Sequence, residues 1–206
     1  MTPEIIAADP AWPYTKAKTS VLSAAAAVIR EDGPRAATLK NVASRAGITE
    51  PAIFRHFEGI DGLFCGLFDT VERIYDRVAA SFQTEERGVA RLRAGVLEAV
   101  EVFAEARDFA YVMLHAEQIF RGYPHLKRRL SELRRRDRET AMACLLEARE
   151  RGEIREDVDL DSVATADVGM VFMTVSAWID SGYAFDLRAA GALRWADAER
   201  FVAPPR

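Results

Sequence analysis

The feature that most constrains this fold is the spacing of apolar residues, which recur every three or four positions along nearly the whole chain. Signals for β-strands are nearly absent. Half of the 206 residues are apolar, and a compact chain of this length buries about 70% of the surface that it exposes when unfolded. The sequence therefore predicts an all-α protein with a substantial core. The two cysteines, Cys65 and Cys144, are too few for a disulfide framework and lack the spacing of metal ligands.

Glycines, prolines and capping residues predict where the helices begin and end. Gly33 followed by Pro34 ends the first helix, and Thr38 is a good N-cap for the second. Residues 1–14 contain three prolines and predict a flexible arm. The predicted helices cover 16–32, a segment from Thr38 to just before Gly47, a segment after Thr49, and then 61–82, 90–105, 109–120, 124–151, 160–181 and 192–201.

Two negative observations bear on where the protein works. No window approaches the roughly 18 uncharged apolar residues that a membrane helix requires. Residues 1–12 also lack the basic start and apolar run of a secretory signal. We therefore expect a soluble cytoplasmic protein without a membrane partner.

Residues 38–57 combine two short helices with a sharp turn. Gly47 lies in the turn and can adopt the positive φ that the turn requires. Ile53 and Phe57 supply the apolar face of the second helix. This pattern predicts a helix-turn-helix, in which the first helix crosses the phosphate backbone and the start of the second reaches base edges in the major groove of double-stranded DNA.

The second helix of this motif carries side chains suited to base edges. An arginine can bond guanine through two N–H groups, a carboxylate can accept from cytosine, and an alanine methyl can contact a thymine methyl. The candidate base-contacting residues are Thr49, Glu50, Pro51, Ala52 and Arg55. Residues 16–57 hold seven basic and three acidic residues, a net charge of +4, whereas the whole chain has −4 and the remainder therefore −8. This asymmetry favours contact between the motif and a polyanion.

Residues 16 to about 75 resemble the DNA-binding domain of the TetR family of bacterial transcriptional regulators. The resemblance rests on an ordered set of residues: Val21 to Ala25, Gly33, Thr38, Val42 with Ala43, Ala46 to Thr49, Ile53 to Phe57, and Leu63. It implies a DNA-binding domain over 15–75, with the helix-turn-helix at 38–57, and an effector-binding and dimerisation domain over 76–206.

The resemblance also implies phosphate contacts. Thr38, Lys40 and His56 match positions at which family members contact phosphate or the groove. Phe54 stands where the family usually has tyrosine, and Ile60 stands where it usually has lysine. Two phosphate contacts would then be missing, and fewer contacts imply a shallower dependence of DNA binding on salt.

Residues 161–180 are apolar on nearly every side, which predicts a helix buried on one side by its own subunit and on the other by a partner. The resemblance implies that the last two helices form a homodimer, and an entirely intramolecular central helix is the alternative. A two-fold dimer would place two reading helices about 34 to 36 Å apart, the spacing of a pseudo-palindromic operator. The candidate interface residues are Asp167, Val171, Thr174, Val175, Trp178, Trp195 and Phe201.

The resemblance further implies that a small-molecule effector of unknown identity binds among the middle helices, without a cofactor or metal. The candidate lining residues are Phe103, Phe109, Met113, His115, Asp137, Met142, Phe172 and Trp178. Asp137 and Asp167 fall on apolar seams, and an inward carboxylate must find a partner or lose its charge. Each could bind a polar ligand group or pair with an arginine.

The sequence thus predicts a ligand-responsive, sequence-specific DNA-binding regulator, most simply a repressor, rather than an enzyme. Walker, dinucleotide-binding, HExxH and nucleophile-elbow motifs are all absent from the sequence. The alternative is a helical small-molecule-binding protein or an enzyme that does not bind DNA. The basic run over 127–138 indicates a solvated helix face rather than a second nucleic-acid site.

Overall fold

The computed structural model describes residues 12–83 and 86–205, and the regular secondary structure in these ranges is helical. The predicted all-α fold is confirmed. A short 3₁₀ turn lies at Pro34–Ala36. The α-helices of the described ranges are α1 (Lys16–Asp32), α2 (Leu39–Ala46), α3 (Glu50–Phe54), α4 (Gly59–Ser81), α5 (Gly88–Glu105), α6 (Arg107–Leu114), α7 (Ala116–Ile119), α8 (Pro124–Glu150), α9 (Leu160–Asp180) and α10 (Leu187–Val202).

The helix limits agree with the sequence predictions except at two places. The predicted helix over 109–120 is divided into α6 and α7 at His115, whose backbone leaves helical geometry at φ −103° and ψ 14°. The last helix begins at Leu187 rather than at 192. The side chain of Asp186 caps it by accepting hydrogen bonds from the backbone N–H groups of Arg188 and Ala189 at 2.9 and 3.2 Å.

The chain divides into two compact units. The first combines the described residues through Ile74 with Glu105–Leu130, and the second combines Tyr75–Ala104 with the described residues from Ser131 onward. Helices α6 and α7 therefore belong to the first unit, although the sequence analysis assigned them to the C-terminal domain. The predicted domain limits of 15–75 and 76–206 stay a prediction.

Most of the predicted N-terminal arm, residues 1–11, lies outside the described residues. Its last residues are held in place within the first unit. The indole N–H of Trp12 donates to Oγ1 of Thr19 at 2.8 Å, and the hydroxyl of Tyr14 donates to the carboxylate of Asp69. Burial and the neighbouring Asp69 raise the pKa of Tyr14 well above its usual value, so this hydroxyl stays protonated.

Helix α1 is central to the first unit, where it packs against α2 and α6. Its apolar residues are fully buried, among them Leu22 and Ile29. The guanidinium of Arg30 on α1 also donates to Asp108 on α6 at 2.5 Å. These contacts fix the position of the helices that precede the predicted DNA-contacting segment.

Helices α9 and α10 pack together in the second unit. One face of α9 is buried and includes Val175 and Trp178, but Val168 (44%) and Met173 (70%) on the same helix are exposed. A single chain therefore covers only part of this helix, and the alternative of an entirely intramolecular central helix is wrong. Helix α9 is also the one helix of the described ranges that is long and apolar enough to cross a membrane by length and composition.

Candidate functional site

The predicted turn between α2 and α3 is present and is built on Gly47. Its backbone lies in the left-handed region at φ +68°, and its N–H donates to the carbonyl groups that end α2. Helices α2 and α3 pack against each other. Because a residue with a Cβ is strained at this φ, glycine is what permits so short a connection. The two helices form a helix-turn-helix.

The start of α3 faces solvent. Thr49 occupies the N-cap position, although its side chain makes no capping hydrogen bond, and Pro51 lies in the first turn. Thr49, Glu50 and Pro51 are exposed, and so is Arg55 just beyond the end of α3. These four predicted residues therefore lie on a surface that DNA can reach.

Ala52 differs from its prediction. Its side chain is 9% exposed, and it packs inward beside Ile53, which is fully buried. The methyl group of Ala52 thus faces the interior of the first unit rather than the groove. The third and fourth residues of this five-residue helix, Ala52 and Ile53, are buried, whereas its first two residues and its last residue are exposed.

The predicted phosphate-contacting residues surround the motif. Thr38 is exposed and caps α2, with its Oγ1 accepting from the N–H of Asn41 at 3.2 Å. This bond leaves the hydroxyl hydrogen of Thr38 able to donate to an external oxygen. Lys40 is exposed, and His56 is half-buried at the end of the motif.

The two departures from the family pattern also lie at this surface. Phe54 exposes 58% of its side chain, whereas Ile60, in the first turn of α4, is half-buried. Neither side chain can donate a hydrogen bond, so neither can hold a phosphate oxygen.

Two arginines near the motif differ in their surroundings. Arg45 on α2 makes two hydrogen bonds to Glu31 on α1, at 2.5 and 2.9 Å. These bonds hold the pKa of Glu31 below its usual value. Arg45 therefore ties α2 to α1, while Arg55 makes no ion pair with any described residue.

The predicted dimer residues lie mostly inside one chain. Six of the seven are buried there, and Phe201, with 77% of its side chain exposed, is the exception. The buried six are Asp167, Val171, Thr174, Val175, Trp178 and Trp195. Periodicity identified the apolar helix correctly, but it could not decide which face the chain covers itself. The exposed apolar residues on α9 and α10 are Val168, Met173, Leu193 and Phe201.

The predicted ligand residues are divided between the two units. Four are buried core residues: Phe103, Phe109, Met113 and Trp178. The other four are half-buried: His115, Asp137, Met142 and Phe172. His115 stacks on Tyr111 with ring centroids 4.1 Å apart. Burial raises the pKa of Asp137 to about 7, and neither Asp137 nor Asp167 forms a salt bridge with a described residue.

A cavity of about 150 Å³ lies in the second unit and is bordered by residues of α5, α8, α9 and α10. Asp167 and Trp195 line it, and none of the eight predicted ligand residues does. Sequence analysis missed this site because its walls come from four separate helices. The signal that it did contain was Asp167, an acid on an apolar helix face. Within 12–83 and 86–205, no cluster of three or more histidine, cysteine or acidic residues is arranged to hold a metal ion.

Comparison with known proteins identifies the helix-turn-helix. Residues 21–65 match the family model described as bacterial regulatory proteins, tetR family. The transcriptional repressor KstR2 of Rhodococcus jostii (strain RHA1) is 26% identical over 171 residues, which cover 79% of this chain and 76% of that protein. The fatty acid metabolism regulator protein of Bacillus subtilis (strain 168) is 20% identical over 170 residues, covering 82% and 87%.

Solved structures share the fold over nearly the full chain. The ketosteroid transcriptional regulator KstR2 of Mycobacterium tuberculosis matches with a TM-score of 0.83 and 19% identity, covering 93% of this chain and 97% of its own. FadR of Bacillus subtilis, solved in complex with stearoyl-CoA, matches with a TM-score of 0.69 and 19% identity, covering 87% and 96%. These relatives are regulators rather than enzymes. Residues 21–65, which include the helix-turn-helix, thus match the TetR family of bacterial regulatory proteins, and the chain shares its overall fold with the solved transcriptional regulators.

Proposed function

We propose that this protein is a repressor that binds a pseudo-palindromic operator as a homodimer and leaves it when a small-molecule effector binds. The observation that carries the proposal is the exposed start of α3 in a helix-turn-helix. The sequence relative KstR2 of R. jostii, which is named a transcriptional repressor, supports the direction of regulation.

The base contacts are assigned to the exposed residues of the motif. Arg55 is the strongest candidate, because it is exposed and makes no ion pair with a described residue. A guanidinium in this state can bond guanine without first breaking an internal ion pair. Thr49, Glu50 and Pro51 complete the base-facing surface. Thr38, Lys40 and His56 would fix the position of the motif by contacting phosphates.

The dimer contact is assigned to the exposed apolar faces of α9 and α10. Val168, Met173, Leu193 and Phe201 expose between 44% and 77% of their side chains. They lie on two helices that pack together, and exposed large apolar residues of this kind mark protein interfaces. A second copy of this chain is the partner that suits a two-fold operator, because an isologous interface uses the same patch on both subunits.

The effector releases the operator by shifting the dimer from a state that binds DNA to a second state that binds the effector more tightly. The effector can shift this equilibrium only by its differential affinity for the two states. A ~100-fold loss of operator affinity corresponds to about 2.7 kcal/mol of coupling, which one ligand can supply. Since one relative is named for fatty acid metabolism and another was solved with stearoyl-CoA, acyl-CoA thioesters are the first ligands to screen.

A gel shift on DNA from upstream of the protein's own gene tests the proposal. We expect Arg55→Ala to weaken specific binding by about 1 to 3 kcal/mol and to change non-specific binding little. Lys40→Ala should weaken binding to all sequences and lower the salt slope by about one unit. Arg200→Ala is the matched control, because Arg200 is an exposed arginine of α10 in the second unit. Failure of the wild type to shift genomic DNA at low salt would contradict the proposal.

A further inference from the structure

The cavity of the second unit has an almost entirely apolar wall. Leu92 of α5, Leu145 of α8 and Val163 of α9 contribute to it, and its volume is about 150 Å³. An apolar cavity of this volume holds a molecule about as large as benzene. The available space therefore sets an upper limit of roughly one ring, or a short branched chain, for any ligand bound wholly inside.

Two polar atoms in this apolar surrounding have no hydrogen-bond partner. They are Oδ2 of Asp167 and the indole Nε1 of Trp195. Both residues line the cavity, and their side chains are only 6% and 4% exposed. Since more than 90% of buried polar groups in proteins are paired, the unpaired acceptor Oδ2 of Asp167 points to a hydrogen-bond donor that enters the cavity. The indole N–H of Trp195 is a donor, so a ligand that only donates leaves it unpaired.

The charges around the cavity have one sign. Asp167 and Glu199 both line it, and its lining contains no lysine, arginine or histidine. Burial alone raises the pKa of Asp167, to about 6, so the carboxylate is mostly ionised at neutral pH. A buried carboxylate without a cation carries a large desolvation cost, which a cationic ligand would offset.

We propose that this cavity binds a small apolar amine, whose ammonium group pairs with the carboxylate of Asp167 while its hydrocarbon part contacts the apolar wall. Two features select this class over others. The unpaired carboxylates repel anions, and a neutral ligand leaves Asp167 without its counter-ion. The aromatic ring of Trp195 adds a surface over which a cation is favourable.

The test measures binding to the purified full-length protein by titration calorimetry, and it therefore does not depend on DNA recognition. The probes are benzylamine, benzyl alcohol and benzoate, which share a ring and differ in charge. We expect benzylamine to bind at least about tenfold more tightly than benzyl alcohol, since a charge-assisted hydrogen bond contributes more than the ~1.4 kcal/mol that a tenfold ratio requires. Benzoate should not bind.

Substituted variants of the protein test whether the amine binds in this cavity. Asp167→Asn should remove the preference for the amine, while Asp180→Asn, at an exposed acid of the same helix, should keep it. Ala198→Leu adds bulk to the cavity wall and should abolish binding without changing a charge. The proposal is overturned by equal binding of amine and alcohol, by amine binding that persists in Asp167→Asn, or by no binding at millimolar amine. Circular dichroism of each variant verifies that it is folded.

Discussion

Asp167 shows how one side chain links stability to pH. Its carboxylate is buried on α9, and burial raises its pKa from 3.8 to about 6. Ionising this carboxyl therefore costs more free energy in the folded protein than in the unfolded chain. Below the unfolded pKa of 3.8 the carboxyl is protonated in both states, so this cost is absent and the protein has its full stability. That stability is lost as the pH rises from 3.8 to about 6. A shift of about two units corresponds to roughly 3 kcal/mol. Glu199 of α10 is the other charged group at this cavity.

We therefore expect Asp167→Asn to raise the free energy of unfolding at neutral pH by up to ~3 kcal/mol. The advantage over wild type should shrink as the pH falls through 6, because the wild-type carboxylate then becomes protonated in the folded state. Urea unfolding of both proteins from acid to neutral pH measures this difference. Asp180→Asn is the control, and a difference that stays constant over the whole pH range would disprove the assignment.

At the scale of elements, close packing of α4 against α1 depends on Gly66. A Cβ at Gly66 would lie 2.9 Å from side-chain carbons of both Leu22 and Phe57, which are 0% and 6% exposed. Gly62 lies one turn earlier in the same helix, and a Cβ there would meet its nearest neighbour at an ordinary 3.5 Å. The two glycines therefore differ in available space but share a helix.

This contrast predicts opposite outcomes for the same substitution. Alanine in a helix is favoured over glycine by about 1 kcal/mol, so Gly62→Ala should stabilise the protein. Gly66→Ala gains the same helix propensity but overpacks the contact, which typically costs about 1 to 3 kcal/mol. We expect Gly62→Ala to be the more stable variant by at least about 1 kcal/mol in thermal unfolding. Equal stability of the two variants would show that the α1 and α4 contact can relax.

At the scale of the whole molecule, the exposed apolar face of α9 and α10 predicts the assembly. Met173 exposes 70% of its side chain on this face. A glutamate there would bury an unpaired charge in the proposed dimer, so Met173→Glu should yield folded monomers. Losing the second half-site contact should lower operator affinity by about 100-fold or more. Sedimentation equilibrium and a gel shift measure the two effects.

The control for assembly is a similar residue on another helix. Leu146 of α8 is 52% exposed, and Leu146→Glu should leave both the mass and the operator affinity unchanged. A wild-type protein that sediments as a monomer while binding its operator with full affinity would contradict the dimer proposal.

The sequence alone determined the helical class, most helix limits and the helix-turn-helix with its exposed Thr49 and Arg55. These features depend on periodicity, capping and the positive φ of Gly47, which are local properties of the chain. Tertiary structure decided which face of α9 the chain covers, that Ala52 turns inward, and that Asp167 and Trp195 border one cavity. Each of these depends on which distant helix packs against which face, and a one-dimensional pattern of apolar residues cannot specify that choice.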